Sequence, residues 1–382
     1  MFGIRIAHEQ QETHVHEETG MRITDIRKLP ISRAFSRFIY LLAIVAFVSN
    51  LPAARKKGKG ARESRQAISG HANVFLWSPP TDIRRQNLFF GPGGKEHLPG
   101  TAFTFIKEDL DGTSPKFIVR GQDGTKWKVK LGPEAQPETV ATRLIWAVGY
   151  RADEDYFVSL FHVKGMPEHL HRGQKWVGPN GAVHAARLER DLKGQKKVGR
   201  WNWDSNPFSG TQELNGLRVM MALINNWDVK NQNNSIYDED SISDPLDGGH
   251  YLVYVVSDVG DSFGSGGLAF LMLTKTAGRL KAYKGSKFIR KVGPDYVNFN
   301  VPAAPPLLLS FNFGLPEFIL QRQVGPVCKH VPRTDVQWIG RLLAQLSPEQ
   351  IDDAFRAAGY TPEEVEGYSK VVLERIAELN DL

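Results

Sequence analysis

Asp228, Lys230 and Asn233 stand in the order D-x-K-x-x-N within "ALINNWDVKNQNN", residues 222–234. Phosphoryl transfer needs such a set: a carboxylate to orient or deprotonate the acceptor, a cation near the migrating phosphate, and an amide oxygen for a metal ion. Mg²⁺ takes oxygen ligands and keeps several waters, so one Asn and one Asp can suffice beside the phosphates of ATP. The same five Asn would also suit a turn that simply closes a helix. What decides between the two is whether the rest of the chain supplies the other groups.

Two further segments do. The apolar run Val253–Val256 ends in "SDVGDSFG", which places Asp258-Val259-Gly260 after a buried strand and offers a second metal-ligand carboxylate; Asp261 is a rival three residues on. Upstream, "KWKVK" puts Lys126, Lys128 and Lys130 on one face of a strand and Trp127 and Val129 on the other. One of these lysines could contact nucleotide phosphates if a carboxylate from the next helix held it. Glu138 lies in the first turn of that helix and Glu134 in the loop before it. The alternative is a solvated basic strand face.

The elements that must position these groups are readable from patterning. Residues 101–109, 116–121 and 125–132 read as strands joined by the turn-like "LDGTSP" and "QDG". Residues 137–150 read as a helix with Pro137 in its first turn and Val140, Leu144 and Val148 on one stripe. Residues 155–163 and 181–189 read as two more strands. Ser209 and Gln212 have capping-box spacing ahead of Leu214, Leu217, Met221 and Ile224. Residues 250–264 begin as a buried strand, 301–314 form a Pro-broken loop, and "SPEQ" (347–350) and "TPEE" (361–364) start two C-terminal helices. The order predicts an α+β chain with a small sheet lobe and a larger helical lobe.

The order Lys, helix Glu, D-x-K-x-x-N, D-x-G is similar to the protein-kinase-like superfamily, and most resembles its atypical HipA-type kinases and type II phosphatidylinositol kinases. These carry N-x-D-x-H/R-x-x-N after an apolar helix, matched here by Asn226, Asp228, Lys230 and Asn233. "PETVATRLIWAVGY" also resembles the HipA-type helix with a Glu near its start. The resemblance covers roughly residues 101–264 and implies a two-lobed kinase-like fold that binds ATP with Mg²⁺. It implies that Lys130 is the nucleotide-binding Lys and Glu138 its partner. Asp228 is implied to be the catalytic Asp with Lys230 beside it, and Asn233 and Asp258 the metal ligands. Lys128 is the neighbouring candidate at the nucleotide. Gly112, Thr113 and Ser114 occupy the place of a glycine-rich loop and could offer amides to phosphate, although no G-x-G-x-x-G is present. The acidic stretch "YDEDSISDPLDGG" (237–249) is longer than the family's usual connection, and no A-P-E follows it. The acceptor, a protein or a small molecule, is not readable.

The bulk numbers bound the rest. The 382 residues carry a formal charge of +6, with much of the excess in "ARKKGKGAR", residues 54–62. The single Cys328 excludes an intrachain disulfide and a multi-Cys zinc site. Arg33 and Arg37 precede the apolar run Phe38–Val48, too short for a comfortable span but suited to a signal core or anchor, so residues 38–48 are where membrane contact is expected. Composition therefore divides the chain into an unstructured N-terminal segment with a basic linker (1–70), a sheet lobe (71–190) and a mostly helical lobe (191–382). His162, His169, His171 and His184 lack zinc-motif spacing, and Asp238, Glu239, Asp240 and Asp244 lack EF-hand spacing, so they read as loop or strand residues and a solvated acidic loop. No basic groove surrounds the aromatics of "RWNWD" (200–204), so no specific nucleic-acid partner is expected. Two other classes stay open: a catalytically inactive kinase-like nucleotide-binding or interaction module, and an exported interaction protein of unrelated fold.

Overall fold

A computed structural model describes residues 73–112, 114–192, 194–240, 250–264, 277–300 and 327–382. All lie in one compact unit, residues 58–382. Strand β1 (Asn73–Phe75) is followed by β2 (Ala102–Asp109), β3 (Lys116–Gly121), β4 (Lys126–Leu131), helix α1 (Ala135–Ala147), β5 (Asp155–Lys164) and β6 (Ala182–Arg190). Strands β2 to β6 close into a barrel in the order β2-β3-β4-β6-β5, sealed by parallel pairing of β2 with β5. The alternation in "KWKVKL" shows why. Trp127, Val129 and Leu131 turn inward and are buried with Phe117, Phe161 and Leu188, while Lys126, Lys128 and Lys130 turn outward.

After the barrel come β7 (Gln195–Gly199), α2 (Gln212–Leu223), β8 (Asn234–Asp240) and β9 (His250–Val256). Then follow α3 (Leu280–Lys284), β10 (Ile289–Val292), β11 (Tyr296–Phe299), β12 (Val331–Pro332), α4 (Arg333–Leu343), α5 (Pro348–Ala357) and α6 (Pro362–Asn380). The chain is thus mixed α and β, with six α-helices among the described residues. A second sheet has the order β1-β9-β8-β7, and a third β10-β11-β12. Helix α1 has two faces. Glu138, Thr142 and Arg143 meet polar groups of β5 and β6, whereas Val140, Leu144 and Ala147 are fully buried in a second apolar core shared with α2, α4, α5 and α6.

Several expectations change. The span 191–382 carries two sheets besides its helices, and β1, within 71–190, pairs in parallel with β9 rather than with the barrel. Asp238 to Asp240 belong to β8, laddered to β9 on one side and β7 on the other, so these acids are not a loop; Asp244 lies outside the described residues. The Pro-rich run 301–314 and the apolar run 38–48 also lie outside them. No described helix is long and apolar enough to cross a membrane. The boxes Ser347/Gln350 and Thr361/Glu364 both form. The Ser209/Gln212 box does not: Thr211 is the N-cap of α2, accepting from the Leu214 N–H at 3.2 Å. Ser209 instead donates to the Asn206 carbonyl in the preceding turn.

That cap assignment is measurable. Thr211→Ala should lower unfolding stability by about 1 kcal/mol, and Ser209→Ala by less than about 0.5 kcal/mol. Urea denaturation midpoints compare them, and a larger loss at Ser209 would contradict the assignment.

Candidate active site

Helix α2 ends in a Schellman turn that explains the Asn-rich stretch. Asn225 is left-handed at φ 55°; its N–H donates to the Ala222 carbonyl and that of Asn226 to the Met221 carbonyl. Asn tolerates this backbone better than most residues. The Asn226 side chain then accepts from the Asp228 N–H at 2.9 Å, and the Asn233 amide donates to the Asp228 carbonyl at 2.7 Å and to its carboxylate at 3.1 Å. Asn231 and Asn234 bond the backbone of Trp203 and Trp201. All five Asn therefore shape the loop, and two of them, Asn226 and Asn233, act on Asp228. Lys230 pairs with the Asp228 carboxylate at 3.0 Å. Burial raises the Asp228 carboxyl above its ordinary value, against the pull of Lys230 and Asn233.

The second centre is the Lys130 ammonium. Its Nζ lies 2.7 Å from Glu138, 2.9 Å from Asp258 and 3.0 Å from Glu134. Lys130, Glu134 and Glu138 are buried, while the Asp258 side chain is 45% exposed. Burial opposes the charge on Lys130, but Glu138, Asp258 and Glu134 outweigh it and hold its pKa well above the ordinary value. Burial pushes Glu138 up, against Arg187 and Lys130. Partial desolvation also opposes ionisation of Asp258, yet Lys130, Arg187 and Lys230 prevail and hold it at about 2. The two centres share a field, since Asp258 raises Asp228 and Lys230 steadies Asp258. Gly260 is the residue this packing allows: a Cβ there would meet the Glu134 Cβ at 2.8 Å and the Lys130 Nζ at 3.1 Å.

The remaining candidates divide. Ser114 reaches the cage, donating to Glu134 at 2.8 Å. Gly112, at φ 68°, has its carbonyl held by Arg172, which also bonds the Asp109 carbonyl at 2.9 Å. Thr113 lies outside the described residues. Lys128 is committed to Glu189, its cross-strand partner on β6, at 2.6 Å. The segments that carry Asn233 and Asp258 are tied together by the Ser257 N–H, which donates to the Asn233 main-chain carbonyl at 2.8 Å. The Asn233 amide nitrogen faces Asp228, so its carbonyl oxygen is the end it can offer a cation. One carboxylate plus one amide oxygen is a hard donor set that fits Mg²⁺, with phosphate and water completing the shell.

Sequence reading did not identify the layer beneath. Arg187 reaches Asp155 at 2.6 Å, Glu189 at 2.9 Å, Asp153 at 3.3 Å and Glu138 at 3.6 Å, while Arg143 and Thr142 of α1 also hold Asp155. The signal was the alternation R-x-E on β6 facing K-x-K on β4, legible only once the two strands are known to pair. Within this layer burial and Glu189 raise the Asp153 carboxyl to about 7, against Arg187 and Lys128. The folded chain thus keeps a proton there that the unfolded chain releases near pH 4. Stability from this group is full below that value and is lost as pH rises to about 7. Asp153→Asn should therefore gain stability relative to the unsubstituted chain as pH rises from 4 to 8. Denaturation across that range checks it; a constant difference would contradict the shift.

No family model matches the chain, and no curated protein matches it. Among solved structures, one described as "Crystal structure of the golgi casein kinase" aligns over 74% of this chain and 73% of that chain at 9% identity, with a TM-score of 0.31. A likeness of that size carries no argument about what this chain does.

Proposed function

We propose that the chain is an ATP- and Mg²⁺-dependent phosphotransferase with a two-lobed, kinase-like arrangement. In this reading the barrel and α1 form one lobe and residues 191–382 most of the other. The observation that carries it is the joint pairing of Lys130 with Glu138 on α1 and Asp258 after β9. A phosphate-binding Lys must be held by a fixed carboxylate and stand beside the metal-ligand carboxylate, and Lys130 does both. Bound Mg²⁺ would neutralise phosphate charge. Asn233 and Asp258 would hold it, Lys130 would donate to phosphate oxygens, and Glu138 would keep that ammonium in place. Asp228, partly buried and raised in pKa, would orient the acceptor hydroxyl and take its proton. The acceptor is a hydroxyl on a protein or small molecule.

An inactive nucleotide-binding module is the second reading. It is favoured by Lys230 and Asn233 both occupying the Asp228 carboxylate. Thermal shift with ATP and Mg²⁺ tests binding, and turnover separates the two. The apolar run 38–48 supports an exported or anchored protein, which fractionation with N-terminal sequencing checks.

Substitutions have distinct expected signatures. Asp228→Asn should lower turnover about 10²–10⁴-fold with little change in Mg²⁺–ATP affinity. Asn233→Ala and Asp258→Ala should weaken the Mg²⁺ dependence of nucleotide binding. Lys130→Met strands buried carboxylates and should cost about 3–5 kcal/mol of stability, so Lys130→Arg is the cleaner probe of phosphate contact. Parallel magnesium titrations for all variants, with losses only in melting temperature, would overturn the phosphotransfer reading.

A further inference from the structure

We propose that Glu134 is a specificity device: it makes the cleft reject metal-free polyphosphate and admit a nucleotide only as its divalent-cation complex. The inference rests on the phosphotransfer reading and extends it to a residue which that reading does not need. Glu138 alone neutralises Lys130, and Asp258 is the carboxylate a cation would draw away. Glu134 is surplus to both roles, yet it stands 3.0 Å from the same ammonium.

Glu134 is also built in. It is 6% exposed, and Ser114 donates to the same Oε2 that faces Lys130. The absence of a Cβ at Gly260 lets the backbone after Asp258 close against it. Three carboxylates therefore surround one ammonium, with two of the three buried. The next cation, Arg187, reaches Glu138 only at 3.6 Å and is shared among Asp155, Asp153 and Glu189. A free triphosphate arriving at Lys130 meets a net negative site in which water screens poorly. Asp258 and Asn233 would hold a divalent cation, whose charge would offset the surplus negative charge of the site and leave Lys130 able to donate to phosphate. Without Glu134 the site would carry one negative charge fewer and would repel metal-free phosphate less.

The test is calorimetric titration of ATP and of inorganic tripolyphosphate, each in Mg²⁺ and in EDTA. The unsubstituted chain should bind both in Mg²⁺ and far more weakly in EDTA. Glu134→Gln should tighten metal-free tripolyphosphate binding by about tenfold or more, narrowing the ratio between the two conditions. Glu134→Asp and Ser114→Ala, which keep the charge, should keep the original ratio. Glu138 and Asp258 still pair Lys130 in Glu134→Gln, so the fold should persist; Glu134→Ala serves if its melting temperature falls too far. An unchanged ratio in both charge-removing variants, or a Glu134→Asp chain that behaves like Glu134→Gln, overturns the proposal. If the unsubstituted chain binds neither ligand in Mg²⁺, the phosphotransfer reading falls with it.

Discussion

One ammonium group organises the centre of this molecule. Lys130 joins the outer face of the barrel to α1 through Glu138, to the α1 entry loop through Glu134, and to the segment after β9 through Asp258. A buried charge is tolerable only with good partners, and removing one member of such a set is far worse than never having it. The barrel's inward Trp127, Val129 and Leu131 fix the direction in which Lys130 points. The apolar stripe of α1 fixes Glu138 from the opposite side. Packing on both sides thus supports one electrostatic contact, and that contact carries the functional reading.

Much of this was legible. Alternation located the barrel strands to within a residue or two, because inward and outward positions differ so sharply in polarity. Patterning left three lysines and two glutamates open, the family resemblance implied the pair Lys130–Glu138, and the structure brings those two side chains to 2.7 Å. The Ser347 and Thr361 boxes were legible because each has Pro at the first helical position.

What was not legible depended on pairing between distant segments. Asp238 to Asp240 look like a solvated loop until β7 and β9 flank them. Arg187 looks like a surface residue until barrel closure sets β5, β6 and α1 around it. The choice between Ser209 and Thr211 as cap is a matter of two positions, and the turn that Asn206 builds with Ser209 decided it.

The parallel pairing of β1 with β9 bears on how the chain acquires its structure. The barrel is sealed by strands that all lie between residues 102 and 190, so its contacts are comparatively local. β1 comes earlier in the chain, yet its partner Tyr251 to Val253 comes much later. Non-local pairing slows folding because the intervening chain must be closed first. During synthesis the barrel can assemble while β1 still has no sheet to join, and the Lys130 cage stays incomplete until Asp258 arrives. Pulse-labelled hydrogen exchange should then protect β3 and β4 before β9; simultaneous protection would exclude this order.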